Sequence, residues 1–146
     1  WCGPCKAALP HVQSLAKEYA SQGVVVVASC TSDERQNFVD WLEQNGHLFP
    51  DLVFACDPLE KSPDRASHKL YGVSGIPHQF VIDREGRIAA QVGGYSEGEV
   101  LLDAALAKAG IHVDAAVLER AASDQRKRDA RSKDKPKAAM PLRPAK

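Results

Sequence analysis

Leu9, Val12, Leu15, Ala16 and Tyr19 recur at three- and four-residue spacing, so residues 4–21 read as an amphipathic helix. Pro10 falls inside that helix and is expected to kink it, because proline lacks the amide proton and crowds the preceding turn. The pattern then changes. GVVVVAS (residues 23–29) is an unbroken β-branched run, which predicts a strand covered on both faces, as in a parallel sheet. SDERQNFVDWLEQNG (32–46) predicts a helix capped by Ser32 or Asp33, with Phe38, Val39 and Leu42 on one face and a stop at Gly46. LVFAC (52–56) reads as a short strand, and PDRASHKLYG (63–72) as a short helix stopped by Gly72.

HQFVID (78–83) and RIAAQVG (87–93) flank the tripeptide REG. That pattern predicts an antiparallel hairpin with Gly86 at a positive-φ position. SEGEVLLDAALAKAG (96–110) is a capped helix that ends at Gly110. Helices alternating with strands predict an α/β fold, and the closing hairpin makes its central sheet mixed. Beyond about residue 119 the periodicity gives way to Ala, Lys, Arg, Asp and Pro. The expected organisation is therefore one domain over 1–110 and a basic, largely disordered tail over 111–146, with a solvated helix allowed at 114–131.

Charge sharpens that division. The chain of 146 residues has no net charge, but residues 1–118 carry 9 Lys and Arg against 15 Asp and Glu, whereas residues 119–146 carry 10 against 4. The tail segment RKRDARSKDKPK is interrupted by aspartates and has no interleaved aromatic, which argues for solvation and against a nucleic-acid partner. No apolar run reaches the ~18–20 residues of a membrane span. Because the first residue is Trp1 and not Met, the sequence reads as a fragment, with any signal peptide or membrane tether expected upstream of Trp1.

The chemistry is concentrated at the start, in WCGPCK. A CxxC at the first turn of a helix puts Cys2 where unpaired amides and the helix dipole favour a thiolate. Such settings lower a cysteine pKa from ~8.5 into the range ~3.5–7.5. Cys2 is then the attacking nucleophile, and Cys5, one turn further in and expected to be more buried, resolves the mixed disulfide. Pro4 suits the first turn, where its missing N–H costs little. A zinc half-site would need two more ligands at matching spacing, and neither Cys30, Cys56 nor His11, His47, His68, His78 and His112 supplies them. Cys30 and Cys56, each closing an apolar strand, read as buried and inert, since parallel neighbours seldom present disulfide geometry.

WCGPCK resembles the active-site hexapeptide of thioredoxins, and YGVSGIPHQFVIDREGRI resembles the segment in which that superfamily carries a cis-proline before a hairpin. VGGYS matches the glycine-containing turn before the last helix. The 71 residues between Cys5 and Pro77 exceed plain thioredoxin, and the surplus resembles the additional helix and strand of TlpA/ResA-like thiol–disulfide reductases. The likeness covers residues 1 to about 109. It implies a thioredoxin-like fold whose N-terminal strand, normally central in the sheet, lies upstream of this stretch. It also implies a thiol–disulfide oxidoreductase acting on protein disulfides together with a redox partner that supplies or accepts electrons. Cys2 and Cys5 would be catalytic. Trp1, Ile76 and Pro77 would form the substrate-binding edge, with the Ile76 backbone left free to bond an extended substrate and with Gly3 and Pro4 supporting the motif. No cofactor or metal is implied. The family favours a periplasmic or membrane-anchored extracytoplasmic location, with the cytoplasm as the alternative. His78 stands where the superfamily usually has Thr, and is read as a surface residue beside the cleft. Two other readings remain open at this point. A thiol peroxidase would need a peroxidatic cysteine beside Thr and Arg, and no such pattern surrounds Cys2. A non-catalytic binding module would carry the dithiol incidentally.

Overall fold

The computed structural model describes residues 1–59 and 62–133. Helix α1 spans Gly3–Tyr19. Pro10 lies inside it at an exposed position without ending it, and removes the amide that would face the Lys6 carbonyl. A 3-10 turn follows, and Gly23 at φ +82 reverses the chain. Strand β1 (Val26–Cys30), helix α2 (Arg35–Asn45), strand β2 (Leu52–Cys56) and the single turn α3 (Ala66–Lys69) come next. The hairpin β3 (His78–Ile82) and β4 (Ile88–Gly93) then leads into α4 (Leu101–Leu106) and α5 (Ala115–Lys133). Gly86 in the hairpin turn adopts φ +79, a region that strains any residue with a Cβ.

The mixed central sheet expected from the sequence takes the form of two two-stranded sheets. β1 and β2 pair in parallel from Val26↔Leu52 to Cys30↔Cys56, and β3 pairs antiparallel with β4 from His78↔Gly93. Among the described residues no strand bridges the two pairs, so helices join them. Leu15 and Tyr19 of α1 pack with Val81 of β3, Leu106 of α4 and Val113, and Val26 of β1 lies against that cluster. The covering of β1 on both faces is also corrected. Val26, Ala28 and Cys30 turn inward, but Val27 is 58% exposed, as is its neighbour Val53 at 51%. The covered face receives α1 at Val26 and Trp41 of α2 at Phe54, at a ring distance of 6.0 Å, and among the described residues no helix closes the other side.

Two further differences lie near the end of the chain. The helix expected from residue 96 begins at Leu101, because Gly98 takes φ +77 and holds 96–100 in a turn. The helix allowed at 114–131 is present as α5; most of its surface is solvated, but one narrow face is docked on the domain. Val113 belongs to the core and Ala121 is buried. The guanidinium of Arg128 clasps both oxygens of the buried Glu99 and donates to the Gly93 carbonyl at 2.6 Å. Arg120 donates to the Gly98 carbonyl, and Asp124 accepts from the Val100 amide at 3.3 Å. The remainder of the expected tail, residues 134–146, lies outside the described residues.

Candidate active site

Cys2 is the N-cap of α1. Its backbone is extended (φ −69, ψ 100), its carbonyl accepts the first helical hydrogen bond from the Lys6 amide at 3.0 Å, and Pro4 fills the first turn. The side chain of a cap normally supplies an oxygen to one of the orphan amides. Here the Cys2 Sγ does so, accepting from the Cys5 amide at 3.2 Å. The same Sγ is bonded to Cys5 across a Cα–Cα distance of 5.2 Å. Both cysteines are half-buried, so the deeper burial expected of Cys5 is not evident. Gly3 is exposed with open space around its Cα, and nothing nearby demands the absence of a side chain.

Trp1 stands 71% exposed, and its indole N–H donates to the Ser32 carbonyl at 3.3 Å, tying the residue before the dithiol to the loop after β1. That loop and the segment Val73–Ile76 border a cavity of about 290 Å³ that also reaches Arg65. The Ile76–Pro77 peptide is cis, and Pro77 accepts from the Gly94 amide at 2.8 Å. Among the described residues the Ile76 backbone makes no hydrogen bond. His78 is half-buried and stacked on Phe80 at 4.7 Å, with Nε2 shielded and unpartnered.

Cys30 and Cys56 face each other in register at the ends of β1 and β2, both as free, half-buried thiols. Burial pushes the Cys30 thiol up, and the neighbouring Cys56 adds to the rise. Among the described residues no group of three or more His, Cys, Asp or Glu side chains is arranged to hold a metal. No described helix is long and apolar enough to cross a membrane.

Three features of this region escape the sequence. His11, on the helix that carries the dithiol, meets the buried Asp103 of α4 at 2.8 Å with Tyr95 alongside. The Asp103 hydrogen bond raises the His11 pKa above its ordinary 6.5 against the opposing cost of burial, helped by the charges of Asp103 and Glu99 and opposed by Arg120. A titratable residue set between Leu9 and Val12 was the available signal, though its partner lies 92 residues away. The second is Arg128, whose bond to the Gly93 carbonyl braces the turn holding Pro77. The third is Arg65, which no local pattern marked.

An α/β fold whose first helix is capped by one half of a bonded CxxC defines a thioredoxin-like protein. Comparison with known proteins narrows the class: residues 1–91 match the AhpC/TSA family, to which the chain belongs. It is similar to the thiol-disulfide oxidoreductase ResA of Bacillus subtilis, 30% identical over 94 residues, covering 64% of this chain and 48% of that protein. ResA of Geobacillus thermodenitrificans is 28% identical over 94 residues, covering 64% and 49%. The chain thus spans about half the length of the curated relatives it matches. Among solved structures, a Chlorobium tepidum protein described as the thiol:disulfide interchange protein DsbE superposes at TM-score 0.60 with 32% identity over 75% of this chain and 74% of that one. A thio-disulfide isomerase from Thermus thermophilus gives TM-score 0.52 and 31% identity over 77% and 75%. The thioredoxin-like fold and the kinship with disulfide oxidoreductases expected from WCGPCK are both found.

Proposed function

We propose that this chain reduces or exchanges disulfides in protein partners through Cys2 and Cys5. The observation that carries the reading is the position of the Cys2 Sγ, at the N-terminus of α1 and within hydrogen-bond reach of the Cys5 amide. In the reduced protein the same amide and the helix dipole stabilise a Cys2 thiolate. That thiolate attacks one sulfur of a substrate disulfide. A Cys2–substrate disulfide forms, and the other substrate sulfur leaves as a thiolate. Cys5, deprotonated, then attacks the Cys2 sulfur and expels the second substrate thiolate. The protein is left with the Cys2–Cys5 disulfide, and the substrate has gained two electrons. A dithiol partner returns the site to its reduced form.

Docking is assigned to Trp1, Ile76 and Pro77. The unbonded Ile76 backbone supports it, offering a donor and an acceptor to an extended substrate. An extracytoplasmic location goes with this reading.

The test is a pair of variants. Cys5→Ser is expected to accumulate covalent adducts on Cys2 in non-reducing gels, because the mixed disulfide loses its internal escape. Cys2→Ser is expected to show none, and both should lose insulin-disulfide reduction. Equal adducts from the two variants would refute the division of roles.

A further inference from the structure

We infer that the cavity bordered by Trp1, Thr31, Ser32, Arg65, Ser74 and Ile76 is a specificity pocket for a carboxylate side chain, Asp or Glu, flanking the target cysteine of the substrate. The inference rests on the disulfide-exchange reading above and names the substrate class for the same site. Its basis is an uncompensated charge. Arg65 is half-buried, its Nη1 donates to the Ser62 carbonyl at 3.0 Å, and its Nε is shielded without any hydrogen-bond partner. Among the described residues no carboxylate pairs with it. The buried Asp57 accepts from the amides of Leu59 and Ser67, and Asp64 pairs with Lys69. A half-buried guanidinium is ordinarily matched by an anion, and among the described residues no carboxylate supplies one.

The rest of the pocket suits the same guest. Hydroxyl-bearing residues Thr31, Ser32 and Ser74 line it beside the cation, and Trp1 and Ile76 give it an apolar rim. About 290 Å³ accommodates a short acidic side chain with accompanying water. Trp1 precedes the nucleophile and Ile76 carries the free docking backbone. A peptide laid along Ile76 with its cysteine at Cys2 therefore brings a flanking side chain to this opening.

The experiment uses two-chain peptide disulfides that differ only in the residue on either side of the cysteine: Glu, Gln or Lys. Reduction by the wild-type chain, with dithiothreitol as the electron source, is compared with Arg65→Gln and Arg65→Lys. The wild type is expected to favour Glu over Gln by about 10- to 100-fold in kcat/KM, the scale of one charge-assisted contact. The difference should lie in KM and shrink with added salt, and Lys should be the poorest. Arg65→Gln should bring Glu down towards the Gln level while lowering the Gln peptide far less, and Arg65→Lys should keep part of the preference. Equal rates for Glu and Gln in the wild type would overturn the pocket, as would an equal loss for both in Arg65→Gln. If the wild type reduces none of the peptides, the oxidoreductase reading has failed instead. Binding to the oxidised chain, followed by tryptophan fluorescence, then decides the pocket alone: tighter binding of Glu than of Gln, lost in Arg65→Gln, sustains it, and equal binding overturns it.

Discussion

Replacing Arg128 by Ala removes three hydrogen bonds that hold α5: two to the carboxylate of Glu99 and one to the Gly93 carbonyl. Glu99 is only 8% exposed and has no other side-chain partner among the described residues, so the variant strands a shielded carboxylate. Breaking a fully buried pair costs ~3–5 kcal/mol. The Arg128 side chain is 23% exposed, so water can enter once it is gone, which lowers the expected cost to about 2–3 kcal/mol. Glu99→Ala alone should cost less, about 1–2 kcal/mol, since Arg128 keeps the Gly93 carbonyl and some solvent. The double variant strands no carboxylate but still lacks the donor to the Gly93 carbonyl, and should cost about what Arg128→Ala costs alone, leaving a coupling near 1–2 kcal/mol. Urea titration of the four proteins measures these terms, and calorimetry should show Arg128→Ala melting roughly 5–12 °C lower. Costs that simply add, or an Arg128→Ala change within ~0.5 kcal/mol of zero, would show that the ion pair does not hold α5.

Two more outcomes follow from perturbed groups. The folded chain holds the His11 proton to higher pH than the unfolded chain, whose histidine titrates near 6.5. That contribution is complete below pH ~6.5 and fades as pH rises through the raised folded value. The wild type should lose stability over that interval with a slope of at most ~1.4 kcal/mol per pH unit. His11→Gln should lack the slope, and an identical profile in urea melts would remove the ion pair from consideration. In the reduced protein, iodoacetamide near neutral pH should label Cys2 well before Cys30, whose thiol is pushed up by burial and by Cys56. Peptide mapping that finds Cys30 labelled first would reverse the assignment of the nucleophile.

The elements legible in the sequence are those whose signals are local. LVFAC is β2 residue for residue, Gly86 takes the predicted backbone, and Cys2 caps the predicted helix. What escaped depends on distant partners. The valine run GVVVVAS reports side-chain type but not which face a helix will cover, so Val27 was expected inside and stands outside. The docking of α5 escaped because its apolar contact is narrow, Val117 and Ala121 in line with Val113, and polar bonds supply the rest of the anchorage. Arg120, Asp124 and Arg128, four residues apart on one face, all reach the segment 93–100. That spacing was visible, but three charges on a basic helix look like a solvated surface until their acceptors are known.

The attachment of α5 bears on how the chain can be divided or fused. Gly110, at φ +80, ends α4 and its 3-10 turn, and looks like a natural place to cut. A chain trimmed there would lose Val113 from the cluster around Leu15 and Tyr19, and would leave the Glu99 carboxylate and the Gly93 carbonyl without their donor. Gly93 is one residue from the amide that holds Pro77, so the damage would reach the candidate docking edge. Tags, partner domains or protease sites belong after Lys133 rather than at the glycine seam. A limited digest that nicks α5 should therefore be read as an event at the candidate docking edge around Pro77 as well as in the helix itself.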